Sequence, residues 1–122
     1  HRWTTYETIP LTTLDALIAR YGAPTFCKID VEGSEEAVLK GLTQPLPCLS
    51  FEFTREFFPD AERCVTRLLA VGPTTFNCSL GESTELLLPQ WVGPDALFEA
   101  LGSRPDPLLW GDIYARSLSP LA

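Results

Sequence analysis

The chain has 122 residues, a length that predicts one domain. Its 45% hydrophobic and 20% charged residues exclude a disordered tail, and the sequence has no apolar run near the roughly 20 residues that a membrane-spanning helix needs. Nine Lys and Arg against 16 Asp and Glu give a net charge of −7, which argues against a nucleic-acid-binding surface.

Helices and strands are predicted to alternate along the chain after an extended lead-in over residues 1–11. The first helix is capped by Thr12 or Thr13, carries apolar residues at helical spacing and ends at Gly22. The later elements are strands at 25–31, 48–54, 74–80 and 110–117, helices at 34–42, 57–71 and 94–101, and a short extended piece at 85–88. This order predicts an α/β fold with a largely parallel sheet.

The four cysteines are predicted to be free, buried thiols. Cys27, Cys48, Cys64 and Cys78 form no CxxC pair, and the only histidine is His1, so the spacing does not predict a zinc site. Free buried thiols are favoured over disulfides, which is typical of a reducing, cytoplasmic compartment.

Polar side chains are predicted to share one side of the first two strands, because strand residues alternate sides: Lys28, Asp30, Glu32, Ser50, Glu52 and Thr54. Open α/β sheets bind ligands beyond the carboxyl ends of their strands, so we expect Asp30 and Glu32 on the rim of a crevice with Glu52 beside them. Neighbouring carboxylates raise one another's pKa, which suits a general base. Two structural alternatives stay open: the polar side is simply solvated, or Lys28 neutralises Asp30.

Other candidate sites are weaker. The segment 81–83 favours a plain turn over a phosphate-binding loop, since the sequence has no GxGxxG, GxxxxGK[ST] or GxSxG motif. The aromatic residues Trp91, Trp110, Phe57 and Phe58 favour core or interface positions over a stacking platform.

Three blocks of the sequence, TTLDALIARYGAPTFCKIDVEGSEEAVLKGL, LSFEFT and WGDIYAR, resemble the C-terminal half of FkbM-type S-adenosylmethionine-dependent methyltransferases. The resemblance extends from about Pro10 to Arg116. It implies a partial Rossmann-like class I methyltransferase sheet with flanking helices, formed by residues 12–122 as a single domain. In the full strand order 3-2-1-4-5-7-6, this chain would supply strands four to seven, with the last strand antiparallel between the fifth and sixth.

The resemblance also implies roles for the three acidic residues. The end of strand four borders the methyl donor and acceptor in this superfamily, so Asp30 and Glu32 are the catalytic candidates. Asp30 is also the candidate cofactor contact, and Glu52 the candidate substrate contact. No metal site is predicted, because these carboxylates follow no ligand spacing rule.

The chain lacks methionine and begins His1-Arg2-Trp3, so we expect a processed chain, an excised segment or a piece of a longer gene. The resemblance implies that the glycine-rich donor-binding half of the fold is not part of this chain. We therefore expect S-adenosylmethionine to be the cofactor of the parent enzyme and to bind this chain alone poorly or not at all. The leading hypothesis is a fragment of an O-methyltransferase that acts on a small-molecule acceptor and is inactive alone; the alternative is a stand-alone, non-catalytic α/β module. We expect a homo-oligomer through the exposed strand-four edge or the N-terminal segment, with neither nucleic acid nor membrane as partner.

Overall fold

The computed structural model describes residues 14–22, 24–29 and 35–119. In chain order the elements are α1 (Leu14–Tyr21), β1 (Cys27–Ile29), α2 (Glu35–Lys40), β2 (Cys48–Thr54), a 3₁₀ turn (Arg55–Phe57), α3 (Phe58–Val71), β3 (Thr74–Leu80), α4 (Pro94–Gly102) and β4 (Trp110–Ser117). The predicted alternation of helices and strands, and with it the mixed α/β class, is confirmed over these residues. The lead-in over residues 1–11 lies outside the described residues.

Helix boundaries follow the local residues that the sequence marks. Gly22 ends α1 with φ at 88°, a left-handed conformation that glycine adopts without steric cost. Its N–H donates to the carbonyl oxygen of Ile18 at 2.7 Å, which closes the last turn of the helix. In α3 a proline occupies the first turn, where its missing N–H costs no helical hydrogen bond, and Gly72 follows the last residue.

The four strands form one sheet in the order β1-β2-β4-β3. β1 is parallel to β2, whereas β4 lies between β2 and β3 and is antiparallel to both. The expectation of a largely parallel sheet is therefore wrong for two of the three neighbouring pairs, whereas the antiparallel last strand that the resemblance implied is observed. The N–H of Gly81, just after β3, donates to the carbonyl oxygen of Trp110, the first residue of β4, at 2.8 Å. The start of β4 therefore lies beside the end of β3. β4 must then run in the opposite direction.

One side of the sheet forms the core. A row of apolar side chains crosses all four strands in register, each at most 4% exposed: Ile29, Phe51, Ile113 and Cys78. The buried apolar residues of all four helices belong to the same cluster, so the helices pack on this side and remove its apolar surface from water. Cys27 and Ile29 are buried on this side whereas Lys28 between them is exposed, so the predicted alternation of sides is confirmed for these residues.

The two edges of the sheet differ. At the β3 edge, Val92 and Phe76 exchange two backbone hydrogen bonds of 2.7 and 2.9 Å. The Asn77 side chain donates to the Leu88 carbonyl oxygen at 3.0 Å and accepts from the Leu88 N–H at 3.1 Å. Residues 85, 87 and 88 are bends and none of 85–88 belongs to a strand, so the predicted extended piece there is wrong. At the other edge, β1 has β2 as its only strand neighbour within the part of the chain that the structure describes.

All four cysteines are free, as predicted. Cys27, Cys64 and Cys78 are buried and Cys48 is half-buried. Burial raises the pKa of Cys27 and Cys78 to about 11, and burial together with Glu35 and Glu36 raises that of Cys64 to about 12. These three thiols are therefore protonated at neutral pH. None of the helices in the described ranges is long and apolar enough to cross a membrane.

Arg67 joins α3 to the end of α2. Its guanidinium group donates to three backbone carbonyl oxygens, those of Leu39 at 3.2 Å, Lys40 at 3.4 Å and Leu42 at 2.8 Å. The last carbonyl groups of a helix have no partner within the helix, and a positive charge there is favourable. Arg67 therefore holds the short helix α2 against α3.

We predict that Arg67→Ala lowers the free energy of unfolding by about 2 kcal/mol, because partly buried carbonyl groups lose a charged donor. Arg63→Ala is the matched control on the same helix. Arg63 pairs with Glu36 and Asp60 but is about half exposed, so its removal should cost less than about 1 kcal/mol. Urea denaturation followed by circular dichroism measures both values, and equal losses would contradict the role of Arg67.

Candidate functional site

The side of the sheet opposite the core carries the polar residues. In register, Lys28 aligns with Ser50, and Ser50 aligns with Tyr114 of β4. Lys28 and Glu52 are exposed, whereas Ser50 is only 2% exposed. The interpretation of this side as simply solvated is therefore wrong at Ser50.

The predicted catalytic residues Asp30 and Glu32 lie outside the described residues, as does the end of the predicted first strand. The candidate substrate contact Glu52 is described, and it lies in β2 near the carboxyl end of that strand. The site is therefore built from Glu52 and the side chains that the fold brings to it.

Glu52 lines a cleft of about 340 Å³, which we call the polar cleft; its described lining includes Lys28, Glu52, Glu82, Trp110, Asp112 and Tyr114. Small-molecule sites typically measure roughly 300–1,000 Å³, so the cleft is large enough for a small ligand. Its walls come from β1, β2, β4 and the turn after β3. Residues distant in the sequence meet here because β4 returns between β2 and β3.

Two carboxylates face each other in this cleft. Glu52 of β2 is directly opposite Asp112 of β4. Side chains that are opposite on antiparallel strands project from the same side of the sheet, with Cβ atoms about 5 Å apart. The sequence reasoning missed Asp112, although alternation along 110–117 would have placed it on the polar side once β4 was set beside β2.

Trp110 also lines the polar cleft, with 40% of its side chain exposed. Of the expected core or interface positions, the core position is therefore wrong for Trp110 and for Phe57, which is 56% exposed, and the interface position stays a prediction. The core position is confirmed for Phe58, which packs against Phe53 with the ring centroids 5.9 Å apart. Trp91 is half-buried, and the guanidinium carbon of Arg116 lies 4.3 Å from its ring centroid.

Gly81 and Gly111 set the shape of the cleft wall. Gly81 begins the turn after β3 with φ at 55°, and a Cβ atom there would lie 3.9 Å from Cζ2 of Trp110. At Gly111 a Cβ atom would overlap the carbonyl oxygen of Ser79 and lie 3.0 Å from the Cα atom of Leu80. Only glycine permits this approach of β3 to β4, which positions the residues on either side of Gly111.

A second cleft of about 390 Å³ lies where the carboxyl end of β2 meets α2 and α3. Glu52 lines this cleft as well, together with Phe53, Thr54 and Cys64. Burial raises the pKa of Cys64, which keeps the thiol protonated at neutral pH and disfavours it as a nucleophile. Within the described ranges, no group of three or more His, Cys, Asp or Glu side chains could hold a metal ion.

Comparison with known proteins identifies the family. The model of the methyltransferase FkbM domain matches residues 1–68, more than half of the chain, and the chain belongs to this family. The recognition made from the sequence is thereby confirmed. The match includes residues 1–11 and ends within α3, so β3, α4 and β4 lie beyond it. No curated protein and no solved structure matches the chain.

We predict that Gly111→Ala lowers the free energy of unfolding by at least about 2 kcal/mol, because the new methyl group forces β3 and β4 apart. Gly102→Ala is the matched control. A Cβ atom at Gly102 meets nothing within 4 Å, and the residue is helical, so this change should be neutral or stabilise by up to about 1 kcal/mol. Thermal unfolding of both variants measures the difference, and a neutral Gly111→Ala would contradict the close approach.

Proposed function

We propose that this chain forms the carboxyl-terminal part of an S-adenosylmethionine-dependent O-methyltransferase domain. The observation that carries the proposal is the order of the sheet, β1-β2-β4-β3, with β4 as the only reversed strand among those described. In a class I methyltransferase, strands four to seven stand in the order 4-5-7-6 and the seventh is antiparallel. Assigning β1 to strand four, β2 to five, β3 to six and β4 to seven matches both features.

The family implies S-adenosylmethionine as the methyl donor of the whole enzyme. The described residues do not fit the donor, because its binding element is a glycine-rich turn between a strand and a helix. Within the described ranges, positive φ occurs at Gly22, which follows a helix, and at Gly81, after which the chain enters bends. We therefore assign these residues to the acceptor side of the enzyme.

The polar cleft is the proposed acceptor site. It lies at the carboxyl ends of β1 and β2, where open α/β sheets bind ligands. The carboxylate of Glu52 would accept a hydrogen bond from an acceptor hydroxyl and orient it. Asp30 and Glu32 follow β1 in the chain and stay the catalytic candidates, with Asp30 also the candidate cofactor contact.

Calorimetry and enzyme kinetics test this division of roles. We expect S-adenosylmethionine to give no saturable heat with this chain alone, and tight binding would contradict the assignment to the acceptor side. In the complete domain that contains these strands, Asp30→Asn should lower kcat/KM at least about 100-fold if Asp30 moves the acceptor proton. Glu52→Gln should raise the KM for the acceptor more than it lowers kcat.

Glu62→Gln on the exposed side of α3 is the matched control for these variants and should leave both constants unchanged. Circular dichroism checks that each variant is folded. Unchanged kinetics in folded Asp30→Asn and Glu52→Gln would contradict the proposed site.

We also propose that the chain self-associates through the outer edge of β1. Self-association is what we expect of the alternative hypothesis, a stand-alone, non-catalytic α/β module. The β3 edge is occupied by Val92, whereas β1 pairs only with β2 among the described strands. An open strand edge offers unpaired backbone groups to a second chain.

Light scattering across a concentration series tests the self-association, and we expect the mass to reach that of a dimer at high micromolar concentration. Phe26→Lys places a charge beside β1, where Phe26 is 46% exposed, and should weaken the dimer. Leu108→Lys, at an 81% exposed position before β4, is the control that should leave the mass unchanged. A monomer at every concentration would overturn this proposal.

A further inference from the structure

The segment that leads into β4 contains two prolines. Residues 103–109, which we call the α4–β4 connection, include Pro105 and Pro107, and neither has a backbone N–H to donate. Within the connection, the N–H of Leu109 donates to the carbonyl oxygen of Asp106 at 3.3 Å. The position of the connection therefore depends largely on contacts that other elements make with it.

Arg55 holds both ends of this connection. Its guanidinium group donates to the carbonyl oxygens of Leu101 at 3.1 Å and Arg104 at 2.5 Å, where α4 ends and the connection begins. Its backbone N–H donates to the carbonyl oxygen of Leu109 at 2.8 Å, where the connection enters β4. Hydrogen bonds from a charged donor are shorter and stronger than those between neutral groups. One residue therefore fixes the start and the end of the connection.

Arg55 is itself fixed at the end of β2. It follows Thr54, the last residue of that strand, and its guanidinium carbon lies 5.5 Å from the centroid of the Phe58 ring. Phe58 in turn packs against Phe53 of the same strand. Both side-chain hydrogen bonds come from one terminal nitrogen, and Nε is buried with no hydrogen-bond partner among the described residues. The contact therefore requires the positive end of the side chain, which a lysine also supplies.

The place of Trp110 follows from this attachment. Trp110 comes directly after Leu109 and is the partner of Thr54 in the strand register. The Trp110 side chain lines the polar cleft, whereas Arg55 is not among the described lining residues. Arg55 therefore acts on the cleft through the chain that it holds.

We propose that Arg55 is a positioning residue for the polar cleft: it holds the α4–β4 connection so that Trp110 stays at the cleft wall, and it does not touch the ligand. Loss of its positive group releases the connection and moves the ring of Trp110. Such a displacement is costly, because a misplacement of about 1 Å can lower activity about 100-fold. That the ligand is the methyl acceptor rests on the proposed function, whereas the placement of Trp110 rests on the structure alone.

Spectroscopy of this chain tests the placement of Trp110 without any ligand. The indole N–H signals of Trp110 and Trp91 in a proton–nitrogen spectrum are assigned with Trp110→Phe and Trp91→Phe. We expect Arg55→Met to shift the Trp110 signal and to leave the Trp91 signal in place, and Arg55→Lys to keep both signals at their original positions. An unmoved Trp110 signal in Arg55→Met, an equal shift in Arg55→Lys, or an Arg55→Met chain that does not fold would overturn the proposal.

Arg104→Met is the matched control for the spectroscopy. It removes another cation from the same connection but keeps the backbone carbonyl group to which Arg55 donates. The Trp110 signal should therefore stay in place. A shift as large as that of Arg55→Met would show that any loss of charge in this region moves the ring, and would overturn the specific role of Arg55.

Kinetics of the complete domain test the effect on the acceptor. Arg55→Met should raise the KM for the acceptor at least about fivefold and change kcat by less than about twofold, whereas Arg55→Lys should change neither constant by more than about twofold. Because Arg55 acts through Trp110, the double variant Arg55→Met with Trp110→Ala should have the same KM as Trp110→Ala alone. A further rise in the double variant would overturn the proposal.

The two kinds of measurement separate this proposal from the proposed function. A Trp110 signal that moves as expected, in a chain whose complete domain transfers no methyl group, would support the positioning role and overturn the proposed function. Methyl transfer with an unchanged KM in Arg55→Met would support the proposed function and overturn the positioning role.

Discussion

The close contact between β3 and β4 at Gly111 is the constraint on which the sheet depends. β4 is the only described strand with neighbours on both sides that run against it, and it joins β3 to the β1–β2 pair. At Gly111 the backbone of β3 approaches so closely that a side chain has no room. The adjacent Trp110 and Asp112 lie on the side of the sheet opposite Ile113, so the contact at Gly111 holds one wall of the polar cleft in place.

One side of the sheet is apolar and the other is polar because strand side chains alternate. Helices cover the apolar side, and cationic side chains secure their carboxyl ends. Arg67 binds the last carbonyl oxygens of α2, and Arg55 donates to those of Leu101 at 3.1 Å and Arg104 at 2.5 Å at the end of α4. Because these contacts attach the helices to one side, the described residues leave the polar side open enough to form a cleft.

The family match covers only one part of the polar cleft. The family match covers residues 1–68, which include the candidate residues Asp30, Glu32 and Glu52. Trp110 and Asp112 lie beyond that match, yet they form the wall opposite Glu52. In the function proposed here, the matched part provides the chemistry common to the family, and β4 provides the surface that selects the acceptor.

The sequence by itself determined the elements and the orientation of their side chains. The strands at 48–54, 74–80 and 110–117 have the predicted bounds, and Gly22 ends α1 as predicted, because alternation and glycine conformation are local properties. Only the tertiary structure decided that Asp112 lies opposite Glu52 and that Trp110 lines a cleft. Those positions depend on which strands pair and in which direction, and such long-range pairing is set by packing of the whole sheet, which no local pattern encodes.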